Sequence, residues 1–139
     1  MPTILVADDD VLIRTVLQLY LVREGFDVVV AADGDHAFGA CRAQQPDVVI
    51  TDLHMPMVNG FELCRRLQAV PSLQTMPVIM LTASNEHIAQ ETREELGLWA
   101  VVRKPFRPQE LMLVVRQAVQ ATQRQFAGVM ANITLVRAP

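Results

Sequence analysis

Cysteine and histidine are scarce, with two and three residues respectively among 139. Cys41 and Cys64 lack CxxC spacing and fall in stretches that read as helix, so they are assigned as small core residues rather than a disulfide or metal pair. Without a Cys or His cluster there is no zinc site to expect. No apolar run approaches the roughly 18 residues of a membrane span. The opening MPTILVADDD has no basic stretch and reaches three aspartates at once, unlike a signal peptide. Neither sign of charge dominates: 12 basic and 15 acidic residues give a formal net charge of -3. That balance leaves no electrostatic footprint for nucleic acid. These absences set an expectation of no direct nucleic-acid contact, no membrane span and a reducing, cytoplasmic setting.

What the sequence does have is apolar substance in short pieces. Hydrophobic residues make up 51% and charged residues 19%, enough for one domain with its own core and against disorder over most of the chain. Buried strands are predicted at Thr3–Ala7, Val28–Ala31, Asp47–Thr51, Val78–Leu81 and Ala100–Arg103. Between them, helices are predicted over Val11–Arg23, His36–Gln44, Phe61–Ala69, Glu86–Leu96 and from Pro108 to about Arg124. In the first helix the apolar spacing singles out Val11, Leu12, Val16, Leu19 and Tyr20. In the third, Leu63, Cys64 and Leu67 share a face. Asp10 and Asp33 read as helix N-caps. Five alternations with short crossovers imply a parallel sheet covered by helices on both faces, a doubly wound α/β fold.

In such sheets ligands bind outside the carboxyl ends of the strands, where strand order reverses. The residues predicted there are Asp8, Asp9 and Asp10, then Asp52, Thr82 and Lys104. All are polar and all follow apolar runs. Two carboxylates about 5 Å apart repel by roughly 3 kcal/mol at an effective dielectric of about 20. Asp8, Asp9 and Asp52 together therefore call for a cation, and oxygen donors suit a hard divalent ion such as Mg²⁺. Each residue has a plainer reading by itself. An Asp-Asp pair can be a solvated turn, Lys104 a simple ion pair, Thr82 a cap or turn residue. Taken together, a carboxylate nucleophile, a lysine and a hydroxyl form the clamp that phosphoryl transfer uses.

The residues also carry a family resemblance. ILVADDD, VVITDLHMPMVNG, VIMLTAS and VVRKPF, in that order and spacing, resemble the receiver domain of two-component response regulators over Thr3 to about Ala121. The resemblance implies a flavodoxin-like sheet of order 2-1-3-4-5. It implies a receiver at residues 1–124, with 125–139 as a C-terminal extension or linker. It implies that Asp52 accepts a phosphoryl group from a histidine kinase or histidine phosphotransfer protein, changing contacts with a downstream effector or output domain. It further implies Mg²⁺ held by Asp9, Asp52 and the His54 backbone carbonyl, with Asp8 acting through water. Lys104 would pair with the acyl phosphate and Thr82 would act as the switch hydroxyl. Pro56 and Gly60 would shape the loop, and the Lys104-Pro105 peptide is usually cis in the family.

Three departures from the family pattern stand out. Val101 stands where an aromatic is common, with Trp99 two residues earlier as a candidate surface contact. His54 and Ser84 occupy positions whose side chains tune phosphate lifetime. Asn59 replaces a frequent Asp. Beyond Arg124, Phe126, Val129, Met130 and Ile133 keep near-helical spacing, which fits a helix extension, a linker or a frayed end, with homodimerisation one use for it. Of the other function classes, a Mg²⁺-dependent phosphohydrolase of the dehalogenase type needs a second Asp where His54 stands. A passive interaction module would be expected to lack Asp52, Lys104 or one of the acidic pair. A flavin site is disfavoured because the triply acidic first loop repels a cofactor phosphate. The expectation is therefore a signalling phosphoacceptor rather than an enzyme, with at most weak activity toward its own phosphorylation and dephosphorylation.

Overall fold

Val48–Asp52 is the central strand, buried along its whole length. An apolar run ending on a carboxylate can sit there only if helices cover both its faces. The computed structural model describes residues 1–137, and the side chains of 125–127 and 129–137 lie outside that description. The strands are β1 (Thr3–Ala7), β2 (Asp27–Ala31), β3 (Val48–Asp52), β4 (Val78–Thr82) and β5 (Leu98–Arg103). They alternate with α1 (Val11–Arg23), α2 (Gly34–Gln44), α3 (Gly60–Gln68), α4 (Gln90–Glu95) and α5 (Pro108–Arg137). All neighbouring strands are parallel, in the order 2-1-3-4-5, as expected from the sequence.

Strand pleating divides the core into two layers. Ile4, Val6, Val48, Ile50, Ile79 and Leu81 pack with Leu17 and Leu21 of α1 and with Leu111, Met112 and Val115 of α5. Leu5, Ala7, Val49 and Met80 pack with Ala37 and Cys41 of α2 and with Leu63, Cys64 and Leu67 of α3. Both cysteines are free and buried as expected, and burial pushes each thiol up to about 12. The chain turns from β1 to β2 on one side and from β3 to β4 on the other. The switch point therefore lies between the carboxyl ends of β1 and β3, where Asp8 and Asp52 stand.

Several expectations shift. In α1 the buried residues are Leu17 and Leu21, whereas Val11 and Leu12 are 64% and 70% exposed. The helix is apolar around most of its circumference, so periodicity alone picks the wrong face. β5 starts at Leu98, two residues early, because Leu98 pairs with Val78 across a register shift. The fourth helix is the largest change. Only Gln90–Glu95 is helical, and Glu86–Ala89 forms an irregular segment with Ile88 buried beneath it. The helix starts late because Ala89 offers no side-chain cap. At the other end, α5 runs without a break through the expected boundary at 124. The apolar positions Phe126, Val129, Met130 and Ile133 lie outside the described side chains.

Candidate functional site

Asp8 follows the last residue of β1, and every polar group it carries is used. Its amide donates to the Ala31 carbonyl at 3.1 Å, and its carbonyl accepts from Arg14 Nη1 at 2.7 Å. Its Oδ1 accepts from the Asp10 amide at 2.9 Å, and its Oδ2 accepts from Lys104 Nζ at 3.1 Å. The residue is fully buried. That burial raises its pKa; the Asp10 amide opposes the rise, the Asp52 charge adds to it and Lys104 opposes it. Asp9 beside it is exposed. Asp10 turns away to cap α1, accepting from the Leu12 amide at 2.9 Å as expected.

Asp52 ends β3 and is 8% exposed. Lys104 Nζ lies 3.3 Å from its Oδ1, so one ammonium bridges Asp8 and Asp52. Desolvation works against the lysine charge, but the Asp8 and Asp52 charges outweigh it and the Lys104 pKa rises. The lysine is placed by the end of β5: its amide donates to the Thr82 carbonyl at 2.7 Å, and the Lys104-Pro105 peptide is cis. Carboxylate oxygens of Asp8, Asp9 and Asp52 all lie within 4.8 Å of one another. An all-oxygen donor set of this kind fits a hard cation such as Mg²⁺, and no thiolate or imidazole belongs to it.

Thr82 ends β4, one step past Leu81, which pairs with Asp52. It is 1% exposed, and among the described residues its Oγ1 has no hydrogen-bond partner. A buried hydroxyl without a partner costs about 1–3 kcal/mol, so its persistence here points to a use. The loop after Asp52 is held from below. Asn59 caps α3 by accepting from the Glu62 amide at 2.9 Å, and the Gly60 amide donates to the Leu53 carbonyl at 2.8 Å. A Cβ on Gly60 would sit 2.6 Å from the Asp52 carbonyl oxygen, so only glycine lets α3 start this close to β3. Pro56 precedes Met57, whose φ of 68° is left-handed, and the Val58 amide turns back to the Pro56 carbonyl at 2.8 Å.

The remaining candidates are dispersed. His54 is exposed, and its Nε2 lies 2.6 Å from Glu86 Oε1 rather than on the carboxylate cluster. Ser84 is exposed in the turn after β4, beside a cavity of about 550 Å³ that Lys104 and Pro105 also line. Trp99 is 43% exposed near the start of β5 and lines a different cavity, at the opposite end of the sheet from Asp52. Val101 packs against the α2–α3 core layer. The roles of Glu86 and Arg14 were not legible in the sequence. Glu86 meets its partner 32 positions away, and Arg14 reaches a backbone carbonyl, which leaves no pattern in side-chain types.

The response regulator receiver domain matches as a family over residues 4–116. The transcriptional regulatory protein AfsQ1 of Streptomyces coelicolor is 36% identical over 125 residues, 90% of this chain and 54% of that protein. The chain spans about half the length of the curated relatives it matches. A response regulator structure from Chloroflexus aurantiacus is 35% identical with a TM-score of 0.80, covering 86% of this chain and 99% of that one. The receiver domain of the sensor histidine kinase PA1611 from Pseudomonas aeruginosa, solved with magnesium in its active-site cleft, is 26% identical with a TM-score of 0.77. It covers 86% of this chain and 98% of that one. On sequence and fold together, the chain belongs to the response regulator receiver domain family.

Proposed function

We propose that Asp52 is a phosphoacceptor: it takes a phosphoryl group from a phosphohistidine on a histidine kinase or histidine phosphotransfer protein, and the change alters contacts with an effector or output domain. The observation that carries this reading is the buried, unpartnered Thr82 hydroxyl beside an acceptor whose only ammonium partner is shared with Asp8. An Asp52 oxygen forms the new P–O bond as the donor's P–N bond breaks, and the freed imidazole takes up a proton from solvent. Lys104, already placed between Asp8 and Asp52, is positioned to follow the new negative charge onto the phosphoryl oxygens. Thr82 Oγ1 gains the acceptor it lacks by donating to one of them.

Asp9, Asp52 and the His54 carbonyl would hold Mg²⁺, with Asp8 acting through water. When bound, that ion supplies charge neutralisation at the transferring phosphoryl oxygens. The α1 face gives the donor protein an apolar landing beside the site. Val11 and Leu12 are exposed, and Leu12, Ile13, Val16, Phe106 and Pro108 line the cavity next to Lys104. Homodimerisation is an open use for the α5 extension, and among the described residues no helix is long and apolar enough to cross a membrane. A cytoplasmic site of action follows from the kinase-dependent reading. The chain acts as a signalling phosphoacceptor whose own catalysis extends at most to its phosphorylation and dephosphorylation.

The test is incubation with Mg²⁺ and acetyl phosphate, followed by intact mass. One added phosphoryl group is expected, absent in Asp52→Asn and absent when Mg²⁺ is chelated. An adduct that persists in Asp52→Asn, or repeated turnover of an unrelated phosphomonoester, would contradict the reading.

A further inference from the structure

The loop that follows Asp52 and the segment that follows Thr82 are joined by a side-chain bridge that the proposed function leaves unused. His54, two residues after the acceptor, places Nε2 2.6 Å from Oε1 of Glu86, four residues after Thr82. An imidazole carrying its proton on Nε2 donates this hydrogen bond to the Glu86 carboxylate. Around it, the 83–89 segment is lightly held. The Glu86 amide closes a turn onto the Ala83 carbonyl at 3.1 Å, and Ile88 is buried in the core. The rest of the segment has no regular structure, and α4 after it has no side-chain cap and no buried residue.

We infer that the His54–Glu86 bridge is a latch that holds the 83–89 segment in its resting position, making Glu86 a positioning residue for phosphoryl uptake. The inference rests on the Asp52–Thr82 reading. On this reading, a turn of the Thr82 hydroxyl toward a phosphoryl group is accompanied by a shift of the backbone directly after it. That backbone is tied through Glu86 to the loop bearing His54. The bridge therefore stabilises the unphosphorylated arrangement, and phosphorylation must work against it. Glu86 touches none of the reacting groups; it acts through His54. Exposed pairs of this kind shift an equilibrium by a factor of about two to five, which is a suitable size for setting a threshold without blocking the switch.

The test is a double-mutant cycle on the full chain with Glu86→Ala, His54→Ala and the double variant. The first arm is amide hydrogen exchange of residues 83–89 in the unphosphorylated protein, which needs no phosphodonor. The second is the phosphorylated fraction at limiting acetyl phosphate with Mg²⁺, read by intact mass, with thermal melting as a check of folding. The latch predicts faster exchange in both single variants, a phosphorylated fraction about two- to fivefold higher in Glu86→Ala, and a double variant no further from the parent than either single one. Partial rescue by Glu86→Gln, which keeps an acceptor for the imidazole, is also expected. Exchange and uptake equal to the parent in Glu86→Ala, or additive effects in the double variant, would overturn the latch. A parent that takes up no phosphoryl group would overturn the functional reading instead, while the exchange arm still decides whether the bridge restrains the segment.

Discussion

The helices that follow Asp52 and Thr82 are built in opposite ways. α3 starts on a capping asparagine and a glycine pressed against the Asp52 carbonyl, and it buries Leu63, Cys64 and Leu67. α4 starts on Ala89 with no side-chain cap, spans six residues and buries none of them. Both strands end in residues with a proposed role in phosphoryl chemistry. One is followed by an anchor, the other by an element with little to hold it, which is the low-stability end of a fold. The proposed acceptor is thereby fixed by packing and capping, while the segment after Thr82 is held by fewer contacts. Two side-chain ties cross from one region to the other: His54 to Glu86 ahead of α4, and Gln68 Nε2 donating to the Glu95 carbonyl at 2.9 Å at its far end.

This comparison can be broken at the anchor first. Leu63 is fully buried in α3, so Leu63→Ala is expected to cost about 3 kcal/mol in urea unfolding. Thr92→Ala on α4 should stay within about 0.5 kcal/mol. Equal costs would erase the asymmetry. A smaller effect is expected at Asp8. Its pKa is raised above the ordinary 3.8 by burial, so the folded state keeps its proton longer than the unfolded chain does. Stability therefore falls as pH rises from about the ordinary value through the raised one, and the penalty is fully present above it. Without Mg²⁺, Asp8→Asn should melt higher than the parent at pH 7, with the gap closing as pH falls toward 4. Smaller again, Asn59→Ala removes the α3 cap and should cost about 1 kcal/mol. Smallest, Ala89→Asp supplies α4 with the cap it lacks, on backbone already extended at φ -59° and ψ 146°. It should add about 0.5 kcal/mol and lower the phosphorylated fraction at limiting donor.

Legibility in the sequence follows the same division. Where burial dictates residue type, the reading succeeds: β1, β3 and β4 are apolar runs ending in polar residues, and Asp8, Asp52 and Lys104 do meet where those ends predict. Gly60 reads as a loop-shaping residue, and the structure adds the reason, a close approach of two backbones; the cap that Asn59 provides is visible in the structure alone. Where burial is weak, the reading drifts. The start of α4 is misplaced because polar residues at 86–95 suit a helix and a loop about equally. The buried face of α1 is misread because apolar residues surround that helix, and its exposed ones are the surface next to the site. The bridge from His54 to Glu86 links an exposed and a half-buried polar residue far apart in sequence, a pairing to which neither hydropathy nor spacing responds.

The most direct test of the held acceptor and the movable reporter is amide hydrogen exchange, resolved by peptide, of the protein with Mg²⁺ before and after treatment with acetyl phosphate, with Asp52→Asn as control. Altered exchange confined to residues 83–96, unchanged protection in β3 and α3, and no change in Asp52→Asn are the predicted result. Changes spread equally over α3 and α4, or the same changes in Asp52→Asn, would contradict it.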